Sequence, residues 1–128
     1  VAAVLIFQNI GECRVGDIHK LANRYITVDE ARAVTEQVSR LDAAGDEILA
    51  LWNQVEEHTT TAGIIAKDAD LVELAVRAHE YMERGFKDAS EWYEVARQRV
   101  QTNSAKQLLD QLPNVPSTSW WHGLKKLD

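Results

Sequence analysis

The stretch from Ile64 to Arg84 constrains the fold most, because its apolar residues recur at the period of an α-helix along the whole length. Gly85 follows at the place where a residue in the left-handed conformation commonly ends a helix. Alternating strand patterns are nearly absent from the rest of the chain, so the sequence predicts an all-α protein. The positions that carry the helical period are Ile65, Ala69, Val72, Ala75, Val76, His79 and Met82.

Other helices are predicted on both sides of this segment. The segment Val1–Cys13 begins with apolar residues on nearly every side, which indicates a helix that is buried on all faces. Thr27 and Glu30 have the spacing of a capping box, which predicts a helix from there to about Ala44. Gly45 is predicted to end that helix, and the residue after it to cap the next one. Shorter helices are predicted over residues 88–101 and 104–112.

Composition limits the class of protein. The chain has 128 residues and a formal net charge of −6. Its length fits one domain over residues 1–128, and we expect the tail, 113–128, to pack on the body. An acidic surface repels phosphate backbones, so no nucleic-acid partner is expected. The apolar run Val1–Phe7 is too short to cross a membrane. Cys13 is the single cysteine, so we expect a buried side chain in a cytoplasmic protein.

A motif stands close to the start of the chain. Glu12 is followed by Gly16 and Asp17, and the amide residues Gln8 and Asn9 precede it by four and three positions. The pattern resembles that of HD-domain phosphohydrolases of the 5′-deoxynucleotidase-like branch. In that family two residues lie between a His-Asp pair and the glutamate. By this resemblance Gln8 and Asn9 occupy the positions of the His-Asp pair.

A second segment, Ala66 to Leu74, looks like a later motif of the same family. Lys67 and Asp70 match its Lys-x-x-Asp pattern, in which the aspartate is the last metal ligand. The resemblance continues to about Leu112. The family's N-terminal helices, which carry the first metal-binding histidine, have no counterpart here. The resemblance therefore implies an all-α, HD-domain-like helical bundle that is incomplete at the N-terminus.

The resemblance also implies roles for these residues. The family uses a divalent transition metal such as cobalt or manganese, with Glu12 as the general acid/base and Asp17 near the substrate. Gln8 offers an amide oxygen instead of an imidazole nitrogen, and Asn9 lacks the charge of aspartate. Asp70 is then the only matching metal ligand, so we expect metal to bind weakly or not at all. On a helix, the amide pair and Glu12 would share one face.

Some of these residues have simpler interpretations. Asp17 is almost as well explained as a loop residue that hydrogen-bonds to its own backbone. Arg14, Lys20 and Arg24 are candidates to meet a phosphate, although solvated surface charge is the commoner role. The four histidines are isolated in the sequence, which favours structural or solvent-facing positions.

These features predict an HD-family phosphohydrolase-like domain that acts on nucleoside 5′-monophosphates or related phosphomonoesters. Its degraded metal site would leave this chain alone inactive. The alternative is a noncatalytic module on a degenerate HD fold that binds a nucleotide or a protein, and an unrelated helical bundle is a third interpretation. Because exposed apolar surface is unfavourable, we also expect a second copy or another chain to cover Val1–Phe7 in an oligomer.

Overall fold

A computed structural model describes residues 1–124 of the chain. Within this part the chain forms seven α-helices joined by turns and short 3-10 segments, and no β-strand. The prediction of an all-α fold is confirmed. The chain divides into two compact units, unit 1 over Val1–Ala66 and unit 2 over Lys67–Asp128. The helices are α1 (Ala2–Phe7), α2 (Glu12–Val15), α3 (Glu30–Val38), α4 (Asp42–Glu56), α5 (Thr61–Glu83), α6 (Ser90–Arg99) and α7 (Asn103–Gln111).

Unit 1 is built around helix α4. Helices α1 and α3 both pack against α4, and α2 packs against α3. A small apolar cluster forms where Val4 of α1 meets Val55 of α4 and Ala66, with Leu5 and Leu51 packed against it. Each of these aliphatic side chains stabilises the unit by removing apolar surface from water.

The first helix is shorter than the sequence predicts. Instead of one helix over Val1–Cys13, α1 ends at Phe7 and α2 begins at Glu12. The intervening residues keep right-handed backbone angles, but their hydrogen bonds run to the third preceding carbonyl, as from Ile10 N to Phe7 O at 3.2 Å. The prediction that Gln8, Asn9 and Glu12 share one face relied on α-helical spacing, and this tighter turn replaces that spacing.

The boundaries of α3 and α4 also differ from prediction. Asp29 rather than Thr27 caps α3, and its carboxylate accepts the backbone N–H of Arg32 at 3.0 Å. A carboxylate is favoured there because it also meets the positive end of the helix dipole. Helix α4 begins at Asp42, and Gly45 lies buried inside it rather than ending a helix.

The prediction of a buried Cys13 is wrong, because its side chain is exposed. It lies on the short helix α2, which has no buried residue. Helix α1 is likewise only partly covered: Val4 is buried, whereas Ile6 is 74% exposed. Unit 1 therefore does not cover α1 on every face.

Unit 2 contains the part of α5 from Lys67 onward, together with α6 and α7, around one core. The buried face of α5 contains Leu71, Ala75 and Ala78, whereas Val76 of the predicted stripe is 39% exposed. The stripe is displaced because α5 carries apolar residues on nearly every side, so periodicity alone does not select one face. The core residues are Leu71, Ala75, Ala78, Tyr93, Ala96, Val100, Ala105 and Leu109.

Helix α5 ends as the sequence predicts, at Gly85. This residue has φ = +97°, a conformation that is unfavourable for residues with a Cβ. Its N–H donates to Met82 O at 2.9 Å, and the N–H of Phe86 donates to Tyr81 O at 3.0 Å. This is the Schellman pattern, and the ring of Phe86 accordingly packs edge-on against Tyr81, with 5.7 Å between ring centres.

A buried carboxylate joins α5 to the turn between α6 and α7. Asp68 is 3% exposed and accepts backbone N–H bonds from Gln101 at 2.9 Å and Thr102 at 2.7 Å. Burial raises the pKa of this carboxyl, but the bonds from Thr102 and Gln101 outweigh burial and hold the pKa below its ordinary value of 3.8. The hydroxyl of Thr102 then caps α7 by accepting the N–H of Ala105 at 3.2 Å.

The described part of the C-terminal tail contacts α5. The carbonyl of Val115 lies 3.1 Å from His79 Nε2, and the N–H of Ser117 donates to Glu83 at 2.9 Å. His79 is 8% exposed, so its predicted structural role is confirmed. The last four residues of the predicted tail, 125–128, lie outside the described residues.

Replacing the buried carboxylate tests its contribution to stability. Asp68→Asn keeps the shape of the side chain but loses the charge and turns an amide nitrogen toward one backbone N–H. We expect a loss of about 2–3 kcal/mol in the free energy of unfolding at about pH 7, measured by urea titration. Because the native pKa lies below the unfolded value, the difference should shrink as the pH falls through the native pKa, below about pH 4.

A surface carboxylate of the same unit provides the control. Asp110 pairs with Arg97 at 2.8 Å and is half exposed, so Asp110→Asn should cost no more than about 1 kcal/mol. Equal effects of the two substitutions would contradict the role assigned to Asp68.

Candidate functional site

A polar cavity of about 360 Å³ lies in unit 1 beside helix α2 and the loop that follows it. Glu12 and Asp17, the residues predicted to be catalytic and substrate-binding, both line it. Helix α2 carries Glu12 and ends at Gly16, whose φ of +82° turns the chain toward Asp17. The short helix and the turn after it therefore bring the two carboxylates to one cavity.

A third carboxylate, that of Glu30, lines the same cavity. It stands at the first position of α3, next to the cap residue. Its side chain lies against the backbone of Gly11, where an added Cβ would collide with it. Burial raises the pKa of the Glu30 carboxyl above its ordinary value of 4.5, and the nearby carboxylates of Glu56 and Glu12 raise it further.

Lys20 and Asn23 supply the other polar groups of the cavity wall. Local hydrogen bonds shape the loop that carries them: Leu21 N–H donates to His19 Nδ1 at 3.1 Å, and the Asn23 amide lies 3.5 Å from Ile18 O. The cavity thus combines three carboxylates with one ammonium group. Such a wall can accept protons and hydrogen bonds, and Lys20 can attract one anionic group.

The other candidate basic residues lie elsewhere in unit 1. Arg14 pairs with Glu36 at 3.5 Å, and both side chains are about half exposed. Arg24 is exposed at the end of a short 3-10 helix and does not line the cavity. Of the three candidates for a phosphate contact, Lys20 is therefore the one that the cavity brings beside Glu12 and Asp17.

The amide pair at the His-Asp positions has contrasting surroundings. Asn9 is exposed, whereas Gln8 is partly buried and its Oε1 atom is buried without a hydrogen-bond partner. Neither residue is among those that line the cavity. A buried amide oxygen without a donor is unfavourable, so position 8 is occupied by a group that its surroundings do not satisfy.

Asp70, the predicted metal ligand, lies on α5 in unit 2. Its carboxylate pairs with Lys67 at 3.3 Å within the same helix. The predicted Lys-x-x-Asp motif is therefore an i,i+3 ion pair in this structure. That Asp70 shares a site with Gln8 and Asn9 stays a prediction.

The residues present do not fit a transition-metal site. Between residues 1 and 124, no group of three or more His, Cys, Asp or Glu side chains is placed to hold a metal ion. At position 8, which the resemblance assigns to a metal-binding histidine, the unpartnered amide oxygen of Gln8 is a weaker ligand for a transition metal than an imidazole nitrogen. Metal chemistry therefore enters no step that is assigned to the residues of this chain.

Comparison with known proteins identifies the family. Residues 1–115 match the HD domain, and the chain belongs to the HD domain family. It is thus an HD-family phosphohydrolase-like domain. HD domains are generally metal-dependent, and membership of this family suggests phosphate esters as the class of substrate. No curated protein and no solved structure gives a significant match. The 5′-deoxynucleotidase-like branch stays a prediction.

No helix within the described residues is long and apolar enough to span a membrane.

Sequence reasoning missed Glu30 as a cavity residue. The capping-box pattern assigned its side chain to the backbone of its own helix, and Asp29 takes the capping role instead. The available signal was the glycine at position 11, because a residue without a side chain leaves room for the Glu30 carboxylate.

The raised pKa of Glu30 gives a testable dependence of stability on pH. Between about pH 4 and pH 7 the native state should hold a proton on Glu30 more strongly than the unfolded state does, so ionisation lowers stability as the pH rises. Glu30→Gln removes this ionisation. We therefore expect the variant to gain stability relative to the parent protein as the pH rises over this range, measured by urea titration.

Glu57→Gln is the matched control, because Glu57 is exposed at the end of α4 and does not line the cavity. The relative stability of this control should change less with pH. A Glu30→Gln variant that loses stability relative to the parent as the pH rises would show that the carboxylate prefers to be ionised in the folded state.

Proposed function

We propose that this chain is a phosphomonoester hydrolase-type HD domain of the 5′-deoxynucleotidase-like branch that acts on nucleoside 5′-monophosphates or similar esters. Its altered metal positions would leave this chain alone inactive. The observation that carries the proposal is the cavity that Glu12 and Asp17 line together, at the motif spacing of the family. The match to the HD domain over residues 1–115 supports the reaction class.

The cavity residues have suitable chemistry for this class of substrate. Hydrolysis of a phosphomonoester needs a proton acceptor for the attacking water and a proton donor for the departing alkoxide. Glu12 is assigned that proton transfer, with Glu30 beside it as a second carboxylate. Lys20 is assigned to a phosphoryl oxygen and Asp17 to a hydroxyl of the substrate, whose hydrogen bond a carboxylate accepts.

The metal assignment belongs to the same proposal. An active relative would use cobalt, manganese or a similar ion, and Asp70 is the matching ligand that this chain retains. Gln8 and Asn9 keep hydrogen-bonding capacity but lose the nitrogen donor and the charge that hold such an ion. Two substituted ligands account for the proposed inactivity.

A noncatalytic nucleotide-binding or protein-interaction module is the second candidate. The observation that favours it is the retention of Lys20, Asn23 and Asp17 on one cavity while the metal positions carry amides. A cytoplasmic location, the absence of a nucleic-acid partner, and a second copy or another chain over helix α1 stay predictions. The exposed Ile6 supports the last of these.

Restoring the His-Asp pair tests the hydrolase proposal. Gln8→His and Asn9→Asp together should raise the affinity for cobalt or manganese by about 100-fold or more, measured by calorimetry. Phosphate release from nucleoside 5′-monophosphates should then become measurable in the restored protein and remain absent in the parent. Adding Glu12→Gln to the restored protein should abolish this release while leaving metal affinity nearly unchanged.

The other outcomes separate the two candidates. Metal binding without phosphate release, together with saturable nucleotide binding by the parent protein, would favour the binding module. If the restored protein gains no metal affinity, the assignment of positions 8 and 9 is wrong. Activity that survives Glu12→Gln would contradict the role given to Glu12.

A further inference from the structure

A second cavity, of about 390 Å³, lies in unit 2 and has a different chemistry from the polar cavity of unit 1. The aromatic residues Tyr81, Phe86 and Trp92 line it, and these residues are 46%, 62% and 42% exposed. The aliphatic residues Leu74, Ala78 and Ala89 complete its apolar wall. Its volume lies in the range of small-molecule sites, which is about 300–1,000 Å³.

The backbone conformation around Gly85 positions the aromatic residues of the wall. The Schellman turn at Gly85 returns Phe86 toward α5, where its ring meets the ring of Tyr81 edge-on. The chain then passes through a 3-10 turn, Lys87–Ala89, into α6, which carries Trp92. Three aromatic side chains from one turn and its two flanking helices therefore border the same space.

The charges at this cavity favour a cation. Arg77 lines the wall, but its guanidinium is already matched by Glu80 at 3.0 Å and Glu73 at 3.6 Å. Asp88 also lines the wall and adds a further carboxylate. Lys87, the adjacent basic residue in the sequence, is not among the residues that line the cavity. The wall itself carries one charge of each sign, and the two glutamates that pair with Arg77 from outside the wall make the local balance negative.

We propose that this unit 2 cavity binds a small organic cation of the methylated or quaternary ammonium type. The faces of aromatic rings attract such cations, and the weak hydration of a methylated ammonium group suits an apolar wall. The carboxylate of Asp88 adds a longer-range attraction that salt screens. None of the residues assigned to hydrolysis lines this cavity, and the proposal does not depend on them.

Choline and its neutral isostere, in which a tert-butyl group replaces the trimethylammonium group, test the proposal. Titrations of the full chain are followed by NMR, using the indole N–H signal that Trp92→Phe identifies. Choline should bind saturably and about fivefold or more tightly than the isostere, because the two differ in charge but hardly in shape. High salt should weaken choline binding and leave the isostere unchanged.

Variants separate the aromatic wall from the carboxylate. Phe86→Ala should weaken choline binding at least about threefold, and we expect the variant to stay folded because Phe86 is mostly exposed. Asp88→Asn should weaken choline but not the isostere. Glu91→Gln, in the first turn of α6 and outside the cavity, is the matched control and should leave binding unchanged.

Several results would overturn the proposal. Equal affinity for choline and the isostere would show an unspecific apolar pocket. Binding that persists at full strength in folded Phe86→Ala protein, or no saturable binding of choline at all, would show that the aromatic wall is not a cation site.

Discussion

The buried carboxylate of Asp68 is the interaction on which the arrangement of unit 2 depends. This carboxylate accepts hydrogen bonds from two backbone N–H groups at the turn between α6 and α7, and a hydrogen bond to a charged group contributes about 1.5–3 kcal/mol. The same turn supplies Thr102, which caps α7. The side chain of Asp68 on α5 thereby fixes the position at which α6 ends and α7 begins. This also positions α6, which carries the core residue Tyr93 and the cavity residue Trp92.

Unit 1 depends on a different constraint, the close approach of side chain and backbone around Gly11. The tight turn after α1 and the missing Cβ at this position allow the Glu30 carboxylate to lie beside the start of α2. The same short helix carries Glu12 and leads into Asp17. Backbone geometry thus brings three carboxylates to one cavity, two of them on or just after α2 and the third at the start of α3. Burial raises the pKa of Glu30, and the carboxylates of Glu56 and Glu12 raise it further.

Much of this architecture was predictable, and the failures have physical causes. The helical period and Gly85 correctly gave α5 and its end. Glu12 and Asp17, which the motif selected, line one cavity of unit 1, and their catalytic and substrate-binding roles stay predictions. The buried face of α5 was not predictable, because this helix carries apolar residues on nearly every side. The first turn of α3 was misread because Thr27 and Asp29 are both good caps. Glu30 was missed because its position depends on packing against Gly11, which local patterns do not record.

The charge of the unit 1 cavity bears on the choice between the two candidate functions. A phosphomonoester carries negative charge at neutral pH, and the cavity offers it one ammonium group, Lys20, against three carboxylates. Negative charges gathered in one cavity repel one another unless a cation offsets them. In an HD domain that retains its ligands, a divalent metal provides that offset. On the proposed assignment of Gln8 and Asn9 to the ligand positions, the same loss would weaken phosphate binding as well as catalysis. Within the second candidate, a protein-interaction role avoids this repulsion, whereas nucleotide binding depends on Lys20 to offset it.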